Sequence, residues 1–172
     1  MQVNLDPGKN KRRLFLSKLL KNIPREMCEA LPFFHAYTGC DTVSAFHGIG
    51  KKTAWKIWTK LEAEFTGVFR SPPISMDVTD QDFEKVQHYT ALMYDATNQA
   101  KSVNECRRIL YTKKNKSVED IPPTEEALRQ HLRRAMYQSR IWRLSLQPRP
   151  EMPETTIWGW KLQADSAADD TA

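Results

Sequence analysis

The chain has 172 residues, 40% of them hydrophobic, and a formal net charge of +5. This length suits one ordinary domain or part of a larger protein, with enough apolar residues for a core. We find no signal peptide and no apolar run that could span a membrane, so a membrane partner is not expected. Residues 1–60 and 101–149 each carry a net charge of +7, whereas residues 61–100 carry −5. If the two basic blocks share a face, they favour a polyanionic partner; ordinary solvated helix faces are the alternative.

The cysteines favour a reducing compartment. Cys28, Cys40 and Cys106 are odd in number and scattered, and no Cys-x-x-Cys pair occurs. This pattern is typical of free thiols in an intracellular protein rather than of a disulfide framework. A basic run over residues 9–13 leaves a nuclear location open, although such short runs are common.

The N-terminal third is expected to be mostly helical. Alternation at Val3 and Leu5 indicates a strand end, and the apolar residues from Leu14 onward predict the start of a helix. A further helix is predicted over 25–37, where Pro32 should kink or split it.

A glycine-rich stretch stands out after this helix. Phe46 to Ala54 reads apolar-x-Gly-Ile-Gly-x-x-x-Ala, the spacing of a helix-hairpin-helix, which we place at about 38–65. The two glycines permit a tight turn that opens onto a helix start, where free N–H groups and the helix dipole suit a phosphate. The residues expected to contact a DNA backbone are Gly48, Ile49, Gly50, Lys51, Lys52, Thr53 and Lys56. Two helices joined by a glycine turn, with solvated lysines, are the alternative interpretation.

The rest of the chain predicts further helices. One runs from about Lys51 to Phe65, and Gly67 should end that unit. The capping patterns Thr79-x-x-Asp82, Ser102-x-x-Glu105 and Pro122-Pro123-Thr124 begin the next three, the first two ending near Ala96 and Tyr111. In the last helix the expected buried residues are Leu128, Leu132 and Met136, and the expected outward-facing ones are Arg129, Arg133, Arg134 and Arg140.

These patterns divide the chain into three parts. Residues 1–147 form a single helical domain, residues 148–162 a proline-rich linker with a tryptophan anchor, and residues 163–172 a disordered tail. The oligomeric state is left open by the sequence.

The motif Gly39-Cys40-Asp41, followed by Gly48-Ile49-Gly50-Lys51-Lys52-x-Ala54, resembles the flap-endonuclease superfamily of structure-specific 5′ nucleases. The resemblance covers roughly residues 30–60. It implies a PIN-like fold, a hairpin that grips duplex DNA, and a divalent metal such as Mg²⁺ or Mn²⁺ held in part by Asp41. No catalytic residue is assigned with certainty. Asp77, Asp80, Asp82 and Asp95 are further candidate ligands, although helix capping accounts for the first three.

A second resemblance spans most of the chain. The motifs around 30–36, 39–42, 50–55, 92–95, 121–124 and 158–160 occur in the same order in a family of uncharacterised animal proteins whose genes are repeated like mobile elements. Few carboxylates precede Asp41, and no recognisable strand carries them, so the first part of a nuclease core is expected to be missing. We therefore expect a mainly α fold: the helical C-terminal part of a PIN-like domain, with a short N-terminal strand at most.

Three functions remain open on the sequence alone. The first is a DNA-binding fragment related to metal-dependent nucleases, truncated and inactive by itself. The second is a non-enzymatic protein-interaction module in which the hairpin only packs helices. The third is a transposon-accessory protein that binds nucleic acid. Three or more acidic groups around Asp41 would favour an enzyme, whereas an isolated Asp41 would merely stabilise its loop.

Overall fold

A computed structural model describes residues 2–5, 12–15, 21–70, 78–97, 99–151 and 154–160. The fold is mainly helical, as the sequence predicts. The helices are α1 (Arg25–Tyr37), α2 (Lys51–Lys60), α3 (Glu62–Arg70), α4 (Asp80–Tyr94), α5 (Val103–Lys114) and α6 (Glu125–Leu144). Short 3₁₀ turns occupy Val118–Asp120 and Thr155–Trp158.

Two short strands lie at the N-terminus. Strand β1 (Gln2–Leu5) pairs antiparallel with β2 (Arg12–Phe15), with Val3 opposite Leu14. The first strand agrees with the alternation of Val3 and Leu5. The helix expected from Leu14 onward is wrong for Leu14 and Phe15, because these residues complete the ladder; residues 16–20 lie outside the described part of the chain.

Helix α1 lies at the centre of the hydrophobic core and packs against both α3 and α6. Its buried aromatic residues interlock with those of its neighbours: the rings of Phe33 and Phe69 lie 5.3 Å apart. The hydroxyl of the fully buried Tyr37 shares a 2.6 Å hydrogen bond with Thr90 of α4. Each such aromatic side chain contributes roughly 1.5–3 kcal/mol through burial, so α1 is fixed firmly beneath the loop that follows it.

The three predicted helix caps are confirmed. The side chains of Thr79, Ser102 and Thr124 each accept a hydrogen bond from the backbone N–H three residues later. Such a cap satisfies one of the free amides at a helix start and is worth about 1 kcal/mol.

The single helix expected over 51–65 is wrong, because the chain breaks at Leu61 (φ −125°, ψ 42°). The break lets α3 fold back over α2, where Thr66 accepts a 2.9 Å hydrogen bond from the indole of Trp58. Gly67 does not end the unit, since it lies inside α3. Ser71, Pro72 and Pro73, which are also expected to end this unit, lie outside the described residues.

Three other helix predictions needed correction. Pro32 lies within α1, so the split expected there is wrong, whereas the alternative of a kink stays a prediction. Helix α4 ends at Tyr94, two residues before the expected boundary. Helix α5 continues to Lys114 instead of ending near Tyr111, and Asn115 in the left-handed conformation (φ 50°) terminates it.

The tryptophan anchor belongs to the main core. Trp158 is buried, and its ring lies 5.7 Å from that of Tyr137 on α6. The predicted buried residues Leu128, Leu132 and Met136 are confirmed. The predicted outward arginines are half-buried instead: Arg134 donates to the backbone oxygen of Gly159 at 3.1 Å. Among the described helices, none is both long and apolar enough to cross a lipid bilayer.

Candidate nucleic-acid interface

The loop between α1 and α2 begins with a sharp reversal of the chain. Thr38 follows the last turn of α1, and its hydroxyl donates to the oxygen of Phe34 at 2.7 Å. Gly39 has φ +100°, and a Cβ there would lie 2.6 Å from the Cβ of Ala45. Only glycine satisfies both the backbone angle and the close approach, so it favours the end of α1 at Tyr37, as predicted by the helix over 25–37.

Asp41 and Thr42 form the tip of the next turn. The turn is closed by a 2.8 Å hydrogen bond from the N–H of Cys40 to the oxygen of Val43. Thr42 donates to the side-chain oxygen of Gln138 at 2.5 Å, which ties the turn to α6. Val43 is buried below, so the turn has a fixed position on the helical core.

The hairpin itself is built from Gly48, Ile49 and Gly50. The N–H of Ile49 donates to the oxygen of Phe46 at 3.1 Å, and Gly48 has φ +69°. Gly50 is the N-cap of α2 and has ordinary extended angles, φ −85° and ψ 161°. A Cβ at Gly50 would meet no atom within 4 Å. Neither the backbone angle nor crowding within the protein therefore requires glycine at position 50.

The first turn of α2 is left open at its amino end. Gly50 offers no side chain that could accept from the free N–H groups, and no acidic residue lies in this turn. Lys52 and Lys56 are exposed, and their ammonium groups have no hydrogen-bond or ion-pair partner in the described part of the chain. Thr53 is exposed beside them. Open amides and free cations thus lie on the same short segment.

Lys51 behaves differently from its neighbour. Its ammonium donates to the oxygen of His35 at 2.8 Å, the hydroxyl of Thr38 at 2.8 Å and the oxygen of Gly39 at 2.6 Å. These acceptors lie at the negative end of α1, where a cation is favourable. Partial burial lowers the pKa of Lys51. The structure thus gives Lys51 an internal role, and its contact with phosphate stays a prediction.

Ala54 packs closely against the core. It is fully buried, and its carbonyl oxygen accepts a 2.9 Å hydrogen bond from the hydroxyl of Tyr89 on α4. This contact holds the first turn of α2 against the core and leaves the outer face of the turn free.

The acidic residues do not assemble into a metal site within the described part of the chain. Asp41 is exposed at its turn, and no group of three or more His, Cys, Asp or Glu residues there could hold a metal ion. Asp95 is used otherwise: its carboxylate accepts from Lys114 at 2.8 Å, which lowers its pKa. Asp82 lies in the first turn of α4 beside Thr79, and Asp77 lies outside the described residues. The described residues thus bring no ready-made set of ligands to Asp41, and a Mg²⁺ or Mn²⁺ ion there stays a prediction from the family resemblance.

His131 is a structural residue that the sequence analysis did not identify. It lies on the buried face of α6, with Nε2 2.7 Å from the oxygen of Tyr37 and Nδ1 3.4 Å from the hydroxyl of Ser44. Burial lowers its pKa to about 4, so the ring is neutral at physiological pH. A signal was present, because position 131 is three residues after Leu128 on the same helical stripe.

The interface therefore consists of an open helix start, two exposed lysines and a loop that is fixed at both ends to α1 and α6. Comparisons with known proteins add no assignment: no protein-family model, no curated protein and no solved structure matches the chain significantly.

Proposed function

We propose that this chain binds the sugar-phosphate backbone of duplex DNA through residues 48–56, as the DNA-binding part of a protein related to PIN-like, structure-specific nucleases. The observation that carries the proposal is Gly50. Its conformation and surroundings inside the protein would accept a side chain, yet glycine is present at the start of an uncapped helix. Close approach of a second molecule to the backbone at this position would explain why glycine is present.

The free N–H groups at the start of α2 and the positive end of its dipole favour an anion. Neighbouring backbone phosphates placed there would also meet the ammonium groups of Lys52 and Lys56, one each, because their positions one helical turn apart put these lysines on the same side of α2. Lys51 supports this arrangement from behind, because it joins the end of α1 to the start of α2.

Contacts of this kind read phosphates and not base edges, so binding should be independent of sequence. The affinity should be on the order of micromolar or weaker at physiological salt, and it should fall as salt is added. We assign no hydrolysis to the described residues, because they offer no set of carboxylates around Asp41. A role for Asp41 and a divalent ion is implied by the family resemblance alone, and no step is derived from it.

The sharpest test is Gly50→Ser. Serine is a better N-cap residue than glycine, and no atom of the protein blocks a side chain at position 50. The free energy of unfolding should therefore stay the same or rise slightly. Its hydroxyl, however, would accept from the amides that the phosphate needs, and its Cβ would occupy the approach. We expect a loss of DNA affinity of roughly tenfold in fluorescence anisotropy with a labelled duplex.

The matched charge variants are Lys52→Gln with Lys56→Gln on the hairpin and Arg133→Gln with Arg140→Gln on α6, each pair removing two positive charges. The hairpin pair should weaken binding to every duplex alike, and the α6 pair should weaken it less. If Gly50→Ser and the hairpin pair both bind as the native protein does while remaining folded, the hairpin is a packing element. The protein-interaction module would then be the better hypothesis.

A further inference from the structure

A cavity of about 430 Å³ lies on the other side of the hairpin loop. One wall is the loop itself, at Ser44–His47; the others come from α4, α5, the segment before α6 and the first turns of α6. Its volume falls within the range of about 300–1,000 Å³ that is typical of small-molecule sites. None of the groups assigned above to DNA-backbone binding lines it.

Two arginines give the cavity its charge. Arg107 and Arg134 both line it and both are half-buried. Each guanidinium makes one hydrogen bond to a backbone oxygen, Arg107 to Pro122 and Arg134 to Gly159. Neither has a carboxylate within ion-pair distance among the described residues, whereas Arg129 on the same helix as Arg134 pairs with Glu125. Two half-buried cations that form no ion pair within the described part of the chain, each with further N–H donors, favour an anionic ligand.

The lining residues themselves carry a net positive charge, since two arginines stand against one carboxylate, that of the exposed Glu119. A second carboxylate lies close by: Asp120 is 3.7 Å from Nδ1 of the lining His47 and acts electrostatically on Tyr94.

Part of the remaining wall is apolar, although Ser44, Gln130 and His131 also line the cavity. Tyr94 lies edge-on to Phe46, with ring centroids 6.5 Å apart, and Ile121, Pro122 and Pro123 continue the surface. Burial raises the pKa of Tyr94 to about 12, so its hydroxyl stays protonated and can donate. An aromatic and proline-lined wall suits a planar ring, and arginine suits a phosphate.

We propose that this cavity binds a nucleoside phosphate, with the phosphate at Arg107 and Arg134 and the base against the wall of Tyr94 and the prolines. The same chemistry is presented by a free mononucleotide and by the terminal nucleotide of a single strand. The inference goes beyond the proposed binding of duplex DNA, since it uses none of residues 48–56.

The experiment is isothermal titration of the whole chain with the four ribonucleoside 5′-monophosphates. Adenosine and inorganic phosphate serve as partial ligands, and a single-stranded hexanucleotide with or without a 5′-phosphate tests the strand end. At least one nucleotide should bind saturably with a Kd below about 1 mM, and at least tenfold more tightly than adenosine or phosphate alone. If the 5′-phosphorylated hexanucleotide binds more tightly than the mononucleotides, the ligand is the end of a strand. If a mononucleotide binds more tightly, the ligand is a free nucleotide.

Two variants locate the site. Ala127→Phe fills the cavity from an exposed position and removes no side-chain contact, so it should abolish nucleotide binding in a folded protein. Arg134→Gln should reduce nucleotide affinity at least tenfold, whereas the adjacent Arg133→Gln should leave it within twofold. Absence of saturable binding by all ligands, or equal binding by Ala127→Phe, would overturn the inference. Gly50→Ser should not affect nucleotide binding, so failure of the duplex proposal and failure of this one are distinguishable.

Discussion

Replacement of Lys51 by methionine should destabilise the fold, although the side chain lies at the surface. The ammonium makes three hydrogen bonds of 2.6–2.8 Å to oxygens at the end of α1. A hydrogen bond to a charged group is worth about 1.5–3 kcal/mol when buried, and a cation at a helix C-terminus adds about 0.3–1 kcal/mol. Since the site is partly exposed, water can replace much of this on mutation. We therefore expect a loss of about 1–2 kcal/mol.

The matched control is Lys52→Met. This substitution removes the same ammonium group one residue later. The ammonium of Lys52 has no partner among the described residues, so the change in unfolding free energy should stay within about 0.5 kcal/mol. Urea unfolding followed by far-ultraviolet circular dichroism measures both variants. For a chain of this length, the loss at Lys51 corresponds to a Tm lower by about 3–6 °C.

The two lysines should also differ in DNA binding, in the opposite order. Lys52→Met should weaken binding to duplex, and Lys51→Met should weaken it less. If Lys51→Met were as stable as the native chain and lost as much DNA affinity as Lys52→Met, the internal role of Lys51 would be refuted.

Two further predictions concern stability. The unfolded chain protonates His131 near pH 6.5, whereas burial keeps its native pKa at about 4, so the fold should lose up to about 3 kcal/mol as the pH falls from 6.5 to 4. His131→Gln should remove that part of the pH dependence in urea unfolding at several pH values; an unchanged profile would contradict the assignment. Gly39→Ala should cost at least about 2 kcal/mol because of its clash with Ala45, whereas Gly48→Ala should cost only about 1 kcal/mol for its backbone angle. Equal losses in thermal unfolding would contradict this distinction.

The sequence predicted helix starts better than it predicted helix ends. Thr79, Ser102 and Thr124 form caps with residues three positions away, so the whole signal lies within one short stretch. The break at Leu61 has no such local signal. It depends on Trp58 meeting Thr66 and on the packing of α3 over α2, and these contacts exist only in the folded chain. Likewise, the apolar residues Leu14 and Phe15 are compatible with a helix, and they form a strand because they pair with β1.

The candidate site was predictable to a similar extent. The turn at Gly48–Gly50 and the close packing of Ala54 follow from residue type and spacing. The contacts that support the loop from below could not be predicted in this way. They come from His131 and Gln138 on α6, about ninety residues away in sequence. The cavity with Arg107 and Arg134 also combines residues from distant elements, whereas the sequence left the second basic block open between part of a polyanion-binding face and solvated helix surface.

The number of lysines near Gly50 overstates the number that can contact phosphate. Successive helical residues point about 100° apart, so Lys51 faces the end of α1 while Lys52 faces solvent. Each phosphate neutralised contributes about −0.9 to the slope of log K against log salt. With Lys52 and Lys56 in contact and Lys51 engaged internally, the lysines of the hairpin should contribute about −1.8 to that slope. Anisotropy titrations at several salt concentrations measure it directly: Lys52→Met should reduce its magnitude by about 0.9 and Lys51→Met should leave it unchanged. A reduction of the same size in both variants would mean that Lys51 leaves the end of α1 to bind phosphate.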